Sequence, residues 1–472
     1  TILLFYRLPF LVIHATKPIK LNVSDEVMAY LAHQCQHSNR LINSTLFEVR
    51  QSHFEDCPRV EFFDADGFYR SEFKTKTVRA PYAQLCSVMK DNPHYKVLGG
   101  QCAQQTLKSV SESFNSFNKL LQLFFKGEVD KPRMPNYRTK GGLAPITFPA
   151  QALQFDIETG ECRIPISQEN AASVKEHFGL SELRINGAFG IKADQIVELR
   201  ILPRNNEFYA EYVYKHGNDG ATCHLGLDST QALGIDPGLS NWLTCVSTRG
   251  KSFIVDGRKL KSINQNYNRR VASLKTGKPA KYWDFELARI TEKRNRQIRD
   301  AINKAARLVI NHCLENRIGH VVFGWNEGNK DGINIGTKNN QEFVQIPTSR
   351  LKNRIKQLCE ESGIQFTETE ESYTSKASFV DEDFLPTYGE KPASWKPSGK
   401  RIKRGQYKTA QSILINADCN GAANILRKVS AQLGIVLTES VRAVLTLPKR
   451  YDLFKGLKKS YRKRCESSLQ SA

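Results

Sequence analysis

The sequence predicts an α+β chain of several domains, in which a small β domain is interrupted by a helical insertion and followed by a mixed α/β domain. Three observations predict it. Alternating apolar runs flank both sides of the first half. A helical period of apolar residues fills the stretch between them. The second half then alternates short apolar strands with amphipathic helices. A length of 472 residues is enough for two to four domains with a sizeable core. With 40% hydrophobic and 25% charged residues, the composition is globular and not disordered.

The elements follow in order. "TILLFYRLPFLVI" opens the chain; it is too short to span a membrane and contains Arg7 and Pro9, so residues 1–24 are read as strand. Residues 25–128 turn helical. Ser24 is a plausible N-cap for "DEVMAYLAHQCQHSNRLINSTLFEV", and Ala103, Leu107, Val110, Phe114, Phe117 and Leu121 recur at helical spacing. From 129 to 223 short alternating runs return ("ITFPAQALQFDI", "ECRIPI", "IVELRILP", "EFYAEYVYK"), so 1–24 and 129–223 together predict a β-barrel. Residues 224–371 and 411–447 read as strand "LGIDPG", a strand pair, a helix with the stripe Ile298, Ile302, Ala305, Val309 and Cys313, strand "GHVVFGWN", helix "SRLKNRIKQLCEES", strand "GIQFTETEE" and a late helix "INADCNGAANILRKV". That order suggests an RNase H-type α/β fold. A Gly/Pro/Lys-rich insertion, 372–410, interrupts it, and a basic tail, 448–472, closes the chain.

Composition also narrows the function classes. Lys and Arg number 69 against 48 Asp and Glu, a net charge of +21, which points to a polyanion and to nucleic acid rather than a membrane. The 11 cysteines are scattered with no CxxC pair, so neither a disulfide framework nor a zinc cluster is expected. Cys35, Cys86, Cys102, Cys313 and Cys359 read as buried free thiols in a reducing compartment, and no signal peptide is evident.

Two aspartates stand at matching places. Asp236 ends the strand "LGIDPG" and Asp418 starts the late helix; in an RNase H-type sheet these places meet at one edge. Turn chemistry accounts for Asp-Pro-Gly and N-capping for one polar residue at a helix start, but Asn416, Asp418 and Asn420 are three. Converging carboxylates suit Mg²⁺, and a pair of such ions suits phosphodiester cleavage.

"GIDPG", "HVVFGWN", "YTSK" and "DCNGAANI", in this order, resemble the RuvC nuclease domain of TnpB, the transposon-encoded relative of type V CRISPR effectors. "PRMPNYRTKGG" and "GRKLKSINQNYNRRVASL" extend the resemblance outside that domain, weakly over residues 1–100. The resemblance implies an RNA-guided DNA endonuclease with a wedge β-barrel (1–24, 129–223), a helical recognition insertion (25–128) and a RuvC domain (224–371, 411–447). It implies a guide RNA, one chain per guide, double-stranded target DNA with a short flanking motif, two Mg²⁺ (Mn²⁺ also serving), and a bacterial, cytoplasmic, nucleoid-associated setting.

This chain departs from the family pattern twice. Gly324 stands where the family carries its middle catalytic Glu, so the third metal ligand is expected from the neighbouring strand end: Glu371, with Glu370 as alternate and Glu327 less suited. Asp236, Glu371 and Asp418 are then the expected catalytic and metal-binding set. The family's zinc ribbon has CxxC pairs; here Ser378 and Asp381 fall at the first pair and the second is absent, so no structural zinc is expected. A guided DNA-binding protein without cleavage, and a DDE-like transposase or resolvase, are the rival readings.

Nucleic-acid contacts are expected from Arg133, Arg138 and Lys140 in the junction and from Arg258, Lys259, Lys261, Asn264, Tyr267, Arg269 and Arg270 after the strand pair. A solvated helix face is the plain alternative for the second group. In the insertion, Lys376 and Arg404 add charge, and Trp395 and Tyr407 offer rings for stacking.

Overall fold

The computed structural model describes residues 13–63, 65–73, 75–156, 158–188, 190–216, 226–326, 346–435, 437 and 444–455. It falls into two units, Thr1–Gly217 and Asn218–Ala472. Among the described residues no helix is long and apolar enough to cross a membrane. Most of the opening apolar stretch and Glu327 lie outside the described residues.

In the first unit, β1 (Ile13–Lys20) leads into α1 (Asp25–Glu55), where the Ser24 hydroxyl accepts from the Val27 N–H as the cap pattern predicts. The hairpin β2 (Arg59–Phe63) and β3 (Tyr69–Phe73) follows, then α2 (Tyr82–Met89), α3 (Pro93–Leu98) and α4 (Gly100–Phe125). The predicted stripe of α4 is buried along its whole length. After it come β4 (Ile146–Pro149), β5 (Gln154–Phe155), β6 (Glu161–Ile164), α5 (Gln168–Phe178), β7 (Leu183–Asn186), β8 (Ile196–Arg204) and β9 (Glu207–His216). β1, from before the helices, pairs antiparallel with β9, from after them. Instead of one barrel, the described strands form a sheet ordered β1-β9-β8-β4 and a separate sheet ordered β5-β6-β7. β5 is two residues long and pairs only with β6, so it offers too short a ladder to carry pairing from one sheet to the other. The β2–β3 hairpin and α5 have no counterpart in the sequence reading.

In the second unit, β10 (Asp228–Pro237), β11 (Asn241–Ser247) and β12 (Ser252–Asp256) form an antiparallel meander. Next come α6 (Arg258–Lys275), α7 (Phe285–Glu315), β13 (Ile318–Gly324), α8 (Thr348–Ser362) and β14 (Gln365–Thr369). The insertion carries β15 (Lys400–Lys403) and β16 (Gln406–Lys408); β17 (Leu414–Asn416), α9 (Ala417–Leu433) and β18 (Lys449–Tyr451) complete the unit. The main sheet runs β14-β13-β10-β11-β12-β18, with β13 parallel to β10 and β14 parallel to β13. All of β13 is buried, as a central parallel strand with covered faces must be. The buried stripe of α7 joins β10, β13 and α8 in one core. The basic tail begins as sheet: residues 449–451 pair parallel with β12. Cys35, Cys102, Cys313 and Cys359 are buried free thiols, and Cys86 is half-buried.

Candidate active site

The three expected acids come from three neighbouring elements of the second unit. β10 delivers Asp236 at its end, opposite Thr244 of β11. α9 delivers Asp418 in its first turn. The polar triplet there divides its work. Asn416 caps the helix, accepting from the N–H groups of Asp418 and Cys419 at 3.0 Å. Asn420 is buried and binds the insertion, donating to the Ala377 carbonyl at 2.7 Å. Only Asp418 is left for the site. Gly421 lies one turn on, and a Cβ there would be 2.6 Å from Asp236 Oδ2. A glycine is therefore what lets the Asp236 carboxylate lie against the first turn of α9, where helix N–H groups favour negative charge.

Glu371 follows β14, whose Thr369 pairs with Gly324 of β13. Its N–H donates to Asn326 Oδ1 at 2.9 Å, and its carbonyl accepts from the Thr374 hydroxyl at 2.8 Å. Its side chain lies across Gly324: a Cβ at 324 would be 2.9 Å from Glu371 Cγ and 3.1 Å from its Oε1. Glu370 turns the other way, ion-paired with Lys428 and accepting from the Tyr388 N–H at 3.3 Å. Burial alone would raise the Glu370 carboxyl, but Lys428 and Ser372 hold it below the usual range. Glu370 is thereby engaged by Lys428.

The acids feel one another. Asp236 is half-buried; burial first, then the charges of Glu371 and Asp418, push its carboxyl well above the usual range, with Arg401 pulling the other way. Burial lifts the Glu371 carboxyl to about 7. Asp418 is held from two sides: Arg401 Nη2 donates to Oδ1 at 2.8 Å and Asn241 Nδ2 to Oδ2 at 2.5 Å. Arg450 of β18 donates to Asn241 Oδ1 at 2.8 Å and pairs with Asp256 at 3.3 Å, so the first residues of the tail help set Asn241. Arg401, Asn241 and Arg450 are absent from the sequence reading. Arg401 sits in the basic run "KRIKR", where no spacing rule separates it from its neighbours.

The predicted nucleic-acid residues divide into exposed and engaged. Arg133, Arg138, Lys140, Lys259, Arg269 and Lys376 are exposed. Arg138 also pins the junction, donating to Asn39 Oδ1 on α1 at 3.0 Å. Arg258 pairs with Asp256, and Arg270 with Glu286 at 2.5 Å. Lys261 is half-buried. Asn264 is buried and accepts from Arg294 Nε of α7 at 2.9 Å, while the Tyr267 hydroxyl meets Thr291 Oγ1 at 3.0 Å. Both side chains lock α6 to α7. The open face of that helix pair is a polar groove lined by Lys259, Arg270, Lys293 and Arg294. Arg404 reaches Ser240 Oγ at 3.0 Å, and Ser240 precedes Asn241, which holds Asp418. The expected stacking ring of Tyr407 is not available: it is 1% exposed, with its hydroxyl on the Lys376 carbonyl at 2.8 Å. Trp395 is half-buried, edge-on to Tyr373, and donates to the Phe384 carbonyl.

Asp236, Glu371 and Asp418 are hard oxygen donors, and the repulsion that adds to burial in lifting Asp236 is what a divalent cation would relieve. In chemistry the set fits such an ion. Among the described residues no three His, Cys, Asp or Glu side chains are grouped closely enough to hold one, and Arg401 supplies the positive charge at Asp418.

Residues 220–329 match a family profile, OrfB_IS605, described as a probable transposase. No curated protein matches the chain. Among solved structures, the chain is similar to one of a Cas12f1–sgRNA–target DNA complex, at 15% identity over 88% of this chain and 98% of that one, TM-score 0.30. A CRISPR-Cas12f ternary complex matches at 15% identity over 85% and 80%, TM-score 0.31. The mini-RNA-guided endonuclease CRISPR-Cas_phi3 matches at 10% identity over 90% and 93%, TM-score 0.42.

Proposed function

We propose that the chain, whose residues 220–329 match the OrfB_IS605 probable-transposase profile, is an RNA-guided DNA endonuclease whose acids are Asp236, Glu371 and Asp418. The observation that carries the reading is the seating of Glu371 over Gly324. A carboxylate from the adjoining strand end fills the space that a side chain on β13 would need, so the sheet edge keeps a third acid. The antiparallel meander followed by two parallel strands supports an RNase H-type, RuvC-like domain. The net charge of +21 supports guide RNA and target DNA as partners, with wedge and recognition surfaces in the first unit.

Asp236, Glu371 and Asp418 would hold Mg²⁺ in an arrangement closer than the one described, the ion taking over the charge that Arg401 supplies at Asp418. When bound, the ions would activate a water and neutralise the leaving oxygen of a phosphodiester. The chain's own part is orientation. Asn241 and Arg401 hold Asp418, Asn326 and Thr374 hold the Glu371 backbone, and α9 backs Asp236. Arg401 and Arg404 direct positive charge to the place where a DNA phosphate would lie.

The test is plasmid cleavage with guide RNA and Mg²⁺, alongside guided binding at fixed salt, for wild type, Asp236→Ala and Asp418→Ala. Wild type should cut, neither variant should, and all three should bind alike. A variant that cuts at near wild-type rate overturns the site. A wild type that binds guided DNA and never cuts supports the second reading, a guided binding protein, which the hold of Arg401 on Asp418 favours. A preparation that carries no discrete RNA supports the transposase or resolvase reading.

A further inference from the structure

The insertion 372–410 contains neither cysteine nor histidine, yet its chain segments are cross-linked at one point. Asp381 Oδ2 accepts from the Ser378 hydroxyl at 2.6 Å, the Ser398 hydroxyl at 3.1 Å and the Ala410 N–H at 2.8 Å. Asp383 Oδ2 accepts from the N–H groups of Ser378 at 2.7 Å and Ser398 at 3.0 Å. Ser398 stands just before β15 and Ala410 just after β16. The two aspartates therefore tie both feet of the β15–β16 hairpin to the turn at 378. That turn is itself fixed on α9: Asn420 accepts from the Phe379 N–H at 2.9 Å, and Asn424 donates to the carbonyls of Thr374 and Ala377 at 2.9 and 2.8 Å. β15 carries Arg401, which reaches back to Asp418 on the same helix. The path starts and ends on α9, and the aspartates are its middle link.

We propose that Asp381, assisted by Asp383, is a positioning residue: its carboxylate knots the feet of the hairpin where a metal cross-link would otherwise be needed, and so sets Arg401 against Asp418. The proposal rests on the reading of the acids as a nuclease centre. The donor set does not fit zinc. The hydroxyls of Ser378 and Ser398 give their protons to Asp381, and no thiolate or imidazole is present in the segment. Ionised acceptors make the stronger class of hydrogen bond, which suits a small segment with little core of its own.

The experiment uses the full chain with Asp381→Ala, Asp381→Asn, Ser398→Ala, Arg401→Ala and the Asp381→Ala/Arg401→Ala pair. Amide exchange is followed in the protein alone, and cleavage in the guided complex with Mg²⁺. Asp381→Ala should speed exchange over 398–410 by about tenfold or more while 417–433 keeps its protection. It should lower the cleavage rate by the factor that Arg401→Ala does, with guided binding unchanged, and the pair should be no slower than Arg401→Ala alone. Asp381→Asn should fall between, since its amide oxygen still accepts. Unchanged exchange over 398–410 overturns the proposal, as does a pair whose loss is the product of the single losses. If Asp381→Ala also exposes 417–433, Asp381→Asn and Ser398→Ala decide by the same criteria. If Arg401→Ala cuts like wild type, the aim of Arg401 has no consequence for cleavage and the proposal is overturned; if wild type does not cut, the nuclease reading fails and exchange alone judges the knot.

Discussion

Replacing Gly324 by alanine puts one methyl group at the centre of the candidate site. The new Cβ would lie 2.5 Å from Ile425 Cδ1, 2.9 Å from Glu371 Cγ and 3.1 Å from Glu371 Oε1. Carbon atoms in contact settle roughly 3.5–4.0 Å apart, so the Ile425 methyl must retreat by about 1 Å and the Glu371 side chain by about half that or more. Ile425 is fully buried, and overpacking of this kind costs about 1–3 kcal/mol. Displacing a reacting group by about 1 Å costs on the order of 100-fold in rate. The two losses separate. Ile425→Val removes Cδ1 and with it the closest clash, but leaves the clash with Glu371. Gly324→Ala/Ile425→Val should therefore be more stable than Gly324→Ala and no more active. Urea unfolding reads the first quantity and guided plasmid cleavage with Mg²⁺ the second. A Gly324→Ala protein that unfolds and cuts like wild type would refute the seating of Glu371 over this glycine.

Glu371→Gln should abolish cleavage, because Gln keeps the shape and loses the charge, whereas Glu370→Gln should cut at near wild-type rate and lose roughly 1–3 kcal/mol through its weakened contact with buried Lys428; equal activity of both variants in the plasmid assay would contradict the division of the pair. The first unit should weaken in acid. Burial, then His33, His94 and Arg40, hold His37 down to about 4, and His33 and His94 are lowered too. A histidine neutral in the fold and titrating near 6.5 when unfolded contributes stability that is present above about 6.5 and lost as pH falls toward 4. Protection of α1 amides, measured relative to their intrinsic exchange rate at each pH, should fall across that window, with a shallower slope in His37→Gln; parallel slopes would show that the cluster contributes nothing.

Features that depend on residues a few positions apart could be read from the sequence. The Ser24 cap, the buried stripes of α4 and α7, the strand end at Asp236 and the helix start at Asp418 each follow from local spacing and capping chemistry. The choice between Glu370 and Glu371 could not be read this way. They are adjacent in one turn, and only the packing of α9 against β14 and β13 sends one to Lys428 and the other over Gly324. Tyr407 and Asn264 show the same limit: each sits among cations in the sequence, and the fold turns each inward. Arg401 is the clearest case. Within a basic run every cation is equivalent until the register of β15 and the tied feet of its hairpin aim a single one at Asp418. Local spacing encodes which face of an element is apolar. Which distant side chain fills a given gap is decided when backbones pack, and the missing side chain at 324 acquires meaning only because the fold lays residue 371 across it.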